Sequence, residues 1–146
     1  MLIGFRNPIF QGKAIVIPLL NPNGLLEGNR AQLGGAMELD LGGLGIRDMT
    51  LYQTTYLIIA GSYRGGGEFR LFKWSGGASM PQQVQVEHLN RYNPEAIIIY
   101  PDKGLREFQV LSDDGERLID GIPGKQIKEP ERKRFRSFWL VEDSSG

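Results

Sequence analysis

The chain contains no cysteine and a single histidine, His88. Without cysteine there are no disulfides, thiolate zinc sites, iron–sulfur clusters or cysteine nucleophiles. One histidine cannot build a multi-histidine metal site. Net charge is lacking too, because 17 Lys and Arg balance 17 Asp and Glu over 146 residues. A non-specific nucleic-acid binder displaces counterions with excess positive charge, so no nucleic-acid partner is expected. Long apolar runs are missing as well. Ala14–Ile17 and Ala96–Tyr100 fall far short of the roughly 20 residues of a membrane-spanning helix. The opening Met-Leu-Ile-Gly-Phe-Arg is too short for a signal peptide and has no basic flank before its apolar part. The expectation is a soluble chain with no membrane partner and no assignable compartment.

What is present is rich in backbone punctuation, with 20 Gly and 8 Pro. Between these lie short apolar runs of Ile, Val, Phe and Tyr, the pattern of strands. They fall at Leu2–Phe5, Lys13–Leu20, Ala36–Leu41, Gly45–Met49, Thr55–Ser62, Glu68–Trp74, Gln83–Leu89, Glu95–Tyr100, Glu107–Ser112 and Arg134–Glu142. Glu129–Arg136 is the best helical alternative, but Pro130 and its charge density make it a loop or short turn.

The strands repeat. An apolar strand ending in Ala60-Gly61-Ser62 precedes Phe69–Trp74, and one ending in Ser112-Asp113-Asp114-Gly115 precedes Phe135–Leu140. Tyr56 and Phe108, near the starts of these pairs, lie 52 residues apart. A four-stranded unit of about 50 residues is the signature of a β-propeller blade. The expected fold is all-β and β-propeller-like, with about three consecutive four-stranded antiparallel blades, the first and last incomplete. Blade one, 1–41, lacks its inner strand. Blade two is 45–89. Blade three, 94–146, lacks its outer strand. Incomplete blades expose strand edges, which predicts self-association or pairing with absent upstream blades. Trp74, Trp139, Phe72 and Phe138 recur between the units and are expected in the core between blades.

Several local motifs resemble a bacterial family catalogued as domain of unknown function 3616. They are Leu2–Pro8 with Gly12–Leu19, Leu39–Asp48 (Leu-Asp-Leu-Gly-Gly-Leu-Gly-Ile-Arg-Asp), Ile58–Gly61, Leu71–Trp74, Pro94–Ile97 and Val110–Gly115, in the family's order. The resemblance implies a β-propeller-like fold and carries no chemistry. Two features depart from the family. An upstream "EGLA" strand that should precede Leu2 is absent, so the chain resembles the C-terminal part of a longer protein. Ala96 also stands where the family has glycine after Pro94-Glu95.

Candidate site residues follow from the propeller expectation. Arg47 and Glu95 begin the inner strands of successive blades. With Arg6 and Asp48 they are expected to form a charged ring at the channel mouth. Such a ring binds an anionic or polar ligand through arginine forks or locks blades in register. Asp113 and Asp114 supply hard oxygens suited to calcium or magnesium. The alternating acidic spacing of a calcium loop is absent, and Asp-Gly between strands is first of all a turn. Gly42-Gly43-Leu44-Gly45 lies between strands with no helix behind it, so it reads as a blade crossing rather than a phosphate cradle. Gly65-Gly66-Gly67 is expected to be a mobile link. His88, beside Glu87, is expected on an outer strand, and no Gly-x-Ser-x-Gly elbow accompanies it. Lys128–Arg136 reads as a solvated basic insertion, with contact to an acidic partner as the alternative. No catalytic constellation emerges. A non-catalytic binding or structural module is favoured. The alternative is part of a metal-dependent phosphoesterase or lactonase, an expectation from fold analogy alone.

Overall fold

The computed structural model describes residues 1–64 and 67–141. Strands β1 (Leu2–Phe10), β2 (Lys13–Pro18) and β3 (Met37–Leu39) form the first sheet, and a five-residue helix, α1 (Pro22–Leu26), lies between β2 and β3. Strands β4 (Gly45–Tyr52), β5 (Thr55–Gly61), β6 (Phe69–Trp74) and β7 (Gln82–Val84) form the second. Strands β8 (Pro94–Ile99) and β9 (Glu107–Ser112) follow, then a small hairpin of β10 (Leu118–Ile119) and β11 (Ile122–Pro123), then β12 (Ser137–Val141). The third sheet has the order β12-β9-β8. All pairings between these strands are antiparallel. The expected strands are therefore present, and the charge-dense Glu129–Arg136 stretch holds only a 3-10 turn at Pro130–Arg132.

Each sheet begins with a hairpin whose turn chemistry is local. Gln11 and Gly12 both take positive φ between β1 and β2, as a type I′ connection requires. Leading strand then packs on leading strand, β1 along β4 and β4 along β8. Alternation along β5 gives the middle sheet two apolar faces. Ile58 and Ala60, with Phe72 and Trp74, join Ala14, Val16 and Leu39 of the first sheet in one core. Leu57 and Ile59, with Phe69 and Leu71, join Ile97, Phe108 and Val110 of the third sheet in another. Close approach of the leading strands depends on missing side chains. A Cβ at Gly45 would stand 2.0 Å from the Arg6 carbonyl oxygen, and one at Gly4 would stand 2.8 Å from Ile46 Cγ2.

Three expectations are corrected. Trp74 is buried and Phe138 packs half-buried against the second core, but Trp139 is 44% exposed. The reason is its place along the strand. Trp139 opposes Gln109, which opposes Ile98, on the face turned away from the middle sheet, while Phe138 and Leu140 face it. The outer strand expected over Gln83–Leu89 stops pairing at Val84. His88 instead takes a left-handed φ of 67° where the chain turns into the Leu89–Arg91 3-10 turn, with Leu89 buried in the core and Val84 and Val86 packed against it. The Lys128–Arg136 insertion is not wholly solvated, because Arg136 is bound at its end (below). Gly65 and Gly66 of the expected glycine link, and Glu142 with the rest of 142–146, lie outside the described residues.

Candidate functional site

Two of the leading strands, β4 and β8, carry the same one-residue bulge near their starts, and β1 carries a longer interruption. Pairing of β4 with β5 jumps from Ile46 to Asp48, leaving Arg47 as the extra residue. Pairing of β8 with β9 jumps from Pro94 to Ala96, leaving Glu95 as the extra residue. Pairing of β1 with β2 is interrupted between Gly4 and Ile9, a stretch that contains Arg6. A bulge re-aims its side chain out of the ladder. Here Arg47 and Glu95 at the two bulges, and Arg6 in the interrupted stretch of β1, meet in the same place.

Arg47 is the centre of the cluster. Its side chain is only 2% exposed, and its Nη1 donates to Glu95 Oε1. Arg47 Nη2 also donates to the Ser62 carbonyl at 3.4 Å, and the guanidinium lies 4.8 Å above the Phe69 ring. Gly61 leaves the room, since a Cβ there would stand 2.5 Å from Arg47 Nε. That Nε is buried without a hydrogen-bond partner. Arg6, 44% exposed, lies 3.8 Å from the same Glu95 oxygen. Burial lowers the Arg47 pKa from its ordinary value, and the Arg6 charge lowers it further, while Asp113 opposes the shift. Glu95 thus bridges a buried and an exposed arginine.

Asp48 does different work. Its Oδ2 accepts from the Ile97 backbone N–H at 2.6 Å and its Oδ1 from Met49 N–H at 2.8 Å. It ties β4 to the backbone of β8, and its oxygens face amides rather than open space. Of the four expected ring residues, Arg6, Arg47 and Glu95 come together, and Asp48 supports them as a strand-to-strand clamp.

Asp113 and Asp114 part ways although adjacent. Asp113 is exposed, and its Oδ1 caps the turn by accepting from Gly115 N–H at 2.9 Å. Asp114 is 2% exposed. Arg136 donates to it from Nη2 at 2.7 Å, from Nε at 2.8 Å and from its backbone N–H at 2.8 Å, and Ser112 Oγ donates at 2.8 Å. The Arg136 guanidinium lies 4.9 Å from the centre of the Tyr92 ring, which stacks on Phe138 at 4.2 Å. These hydrogen bonds hold the Asp114 carboxyl at about 2, well below its ordinary value. Sequence reasoning missed Arg136 because its partner lies 22 positions away. The pairing of a buried-strand Ser112-x-Asp114 with an arginine just before the next strand was the available signal.

A pocket of about 400 Å³ beside Asp113 and Asp114 is also lined by Lys125, Lys133 and Arg134. Those cations repel a dication. Among the described residues no three His, Cys, Asp or Glu side chains are grouped to hold a metal. Calcium added to millimolar concentration is expected to leave the Tm unchanged in both the native chain and Asp113→Ala. A calcium-dependent rise lost in Asp113→Ala would reinstate the metal site. A second groove, of about 790 Å³, runs between Leu71, Val84 and Val86 on one side and Leu105, Phe108 and Leu140 on the other, and none of the clustered charges lines it.

Residues 1–100 match the profile of the family described as "Protein of unknown function (DUF3616)". The chain belongs to that family. No curated protein and no solved structure matches the sequence. The DUF3616 match covers Gly4, Arg6, Gly45, Arg47 and Glu95, so the whole charged cluster falls inside it. Asp113, Asp114 and Arg136 fall beyond it, and so does the Val110–Gly115 run. In this DUF3616 chain no helix among the described residues is long and apolar enough to cross a membrane.

Proposed function

We propose that the chain is a β-propeller segment serving as a non-catalytic binding or structural module, its three sheets being consecutive blades around part of a central channel. The observation carrying this reading is the convergence of Arg6, from the interrupted stretch of β1, with Arg47 and Glu95, from the bulges of β4 and β8. In this reading those strands are the inner strands of their blades. The first blade then begins with its inner strand and is short of its outer one, rather than the reverse.

At the mouth the three charges lock blade to blade, with exposed Arg6 left to meet a polar or anionic ligand. A hydrolytic site needs carboxylates free to hold an ion or activate water. Here Glu95 is held by two arginines and Asp114 by Arg136 and Ser112. A panel of phosphate esters and lactones, assayed with and without magnesium and calcium, is expected to show no turnover above the uncatalysed rate. Metal-dependent turnover that disappears in Asp113→Asn would overturn the non-catalytic reading.

A further inference from the structure

We infer that the excursion between β9 and β12 carries a binding pocket for a small phosphomonoester with sugar hydroxyls. The pocket is separate from the Arg6–Arg47–Glu95 cluster and does not depend on the blade reading. All of its lining residues lie beyond the family match over residues 1–100.

Its volume of about 400 Å³ falls in the range of small-molecule sites. Its walls are fixed before any ligand arrives. Lys133–Phe135 is anchored at both ends. Lys133 N–H donates to the Pro130 carbonyl at 3.1 Å, and Arg136 is tied to Asp114 through its backbone N–H and its guanidinium. Asp113 is held by Asn93, whose carbonyl accepts from Asp113 N–H at 2.7 Å and whose Nδ2 donates to the Asp113 carbonyl at 3.1 Å. Lys125 N–H donates to the Gly115 carbonyl at 2.8 Å. Walls ordered in advance lower the entropic cost of binding.

The charges in the lining are unequally satisfied. Asp114 is paired with Arg136, and Lys125 with Glu116. Lys133 and Arg134 are exposed, and neither has a carboxylate partner among the described residues. A guanidinium fork beside an ammonium suits the oxygens of a dianionic phosphate. A monocarboxylate would leave one of the two cations unmatched. Asp113 shares the lining and sets the second requirement. Its Oδ1 accepts from Gly115 N–H at 2.9 Å, while its Oδ2 has no hydrogen-bond partner among the described residues. A bare carboxylate oxygen repels phosphate and accepts from a hydroxyl. A ligand that satisfies both walls therefore carries a phosphate and a hydroxyl donor together. Phe135, 66% exposed in the same lining, adds a flat apolar face for a ring.

Titration calorimetry with ribose 5-phosphate and adenosine monophosphate is expected to show saturable binding at low salt, with Kd below about 1 mM. Binding is expected to weaken as salt screens the exposed cations. Lys133→Ala and Arg134→Ala are each expected to weaken both esters about tenfold, the loss of one charge-assisted hydrogen bond. Lys133→Arg keeps the charge and is expected to keep binding. Asp113→Asn is expected to tighten inorganic phosphate and to narrow the preference of the pocket for the esters over it. Phe135→Ala separates the two ring sources. A loss of about tenfold for adenosine monophosphate alone identifies a stacked base, and equal effects on both esters identify the sugar phosphate. Urea melts without ligand are expected to match the native chain for all these exposed positions, so loss of binding reports the pocket. Absence of saturable heat with either ester at about 10 mM would overturn the site. So would inorganic phosphate bound as tightly as the esters, an adventitious ion only. Binding that survives Lys133→Ala and Arg134→Ala but is lost in Arg6→Ala would also overturn it, and would place the anion at the Arg6–Arg47–Glu95 cluster.

Discussion

Asp114→Ala is expected to lower the unfolding free energy by about 3 kcal/mol, the low end for breaking a buried ion pair. The low end applies because Arg136, 36% exposed, can turn toward water once its partner is gone. What remains buried is the loss. The Arg136 backbone N–H and the Ser112 hydroxyl both give up their acceptor, and an unsatisfied buried donor costs about 1–3 kcal/mol. The clamp also closes the long excursion between β9 and β12, so its removal frees the chain ends to separate. The acid side of the stability curve follows from the sign of the shift. The Asp114 carboxyl titrates at about 2 in the folded chain against 3.8 ordinarily. A depressed folded value gives stability that is full above about 4 and lost as pH falls through about 2, worth about 2 kcal/mol for one carboxylate. Asp114→Asn keeps the shape and removes the charge. Urea melts of the native chain and Asp114→Asn are expected to differ by about 2 kcal/mol at pH 7 and to converge near pH 2. A gap that stays constant down to pH 2 would show that the carboxylate charge contributes nothing.

The strands were legible because their signals are local. Alternation in Phe69–Trp74, the Gln11-Gly12 turn and the Gly42-Gly43 crossing act within a few residues. Gly42 and Gly43 do take positive φ, with Asp40 Oδ1 accepting from Gly42 N–H at 3.0 Å. The meeting of Arg47 and Glu95 was legible through the repeat, since equivalent positions in neighbouring units end up side by side. Two things were not. A bulge changes a strand by one residue without changing its composition, so the re-aiming of Arg47 and Glu95 leaves no periodic trace. Spacing alone also cannot tell which face of a strand meets a neighbouring sheet. Both repeats keep the same register, but Trp139 stands one position earlier in its motif than Trp74, in the place Lys73 holds, and one residue along a strand is the opposite face. The insertion misled in the same way. Arg132 and Arg136 sit in one charged run, but Arg132 pairs at the surface with Asp120 and Glu129 while Arg136 reaches a buried carboxylate.

Glu95→Ala is expected to be the most damaging single change in the Arg6–Arg47–Glu95 cluster, at about 3–4 kcal/mol. The substitution removes little packing and leaves Arg47 charged in a place that is 2% exposed. Arg6 then stands close by with no carboxylate between them, so like charges face each other. The Phe69 ring offsets part of this through its contact with the guanidinium. Arg47→Met should cost less than Glu95→Ala. Methionine fills the space beside Gly61 and Phe69, removes the unpartnered Nε, and leaves Glu95 to Arg6 and water. The pair Arg47→Met with Glu95→Ala is expected within about 1 kcal/mol of Arg47→Met alone, because the main penalty of losing Glu95 is the stranded charge. Arg47→Lys is not a rescue. A lysine has no planar fork to serve Glu95 and the Ser62 carbonyl together while lying over a ring. A double-mutant cycle in denaturant at neutral pH measures all four values. If Glu95→Ala costs the same with and without Arg47, the two residues are not coupled. The bulges of β4 and β8 would then be a geometric feature of the strands, with no lock between sheets.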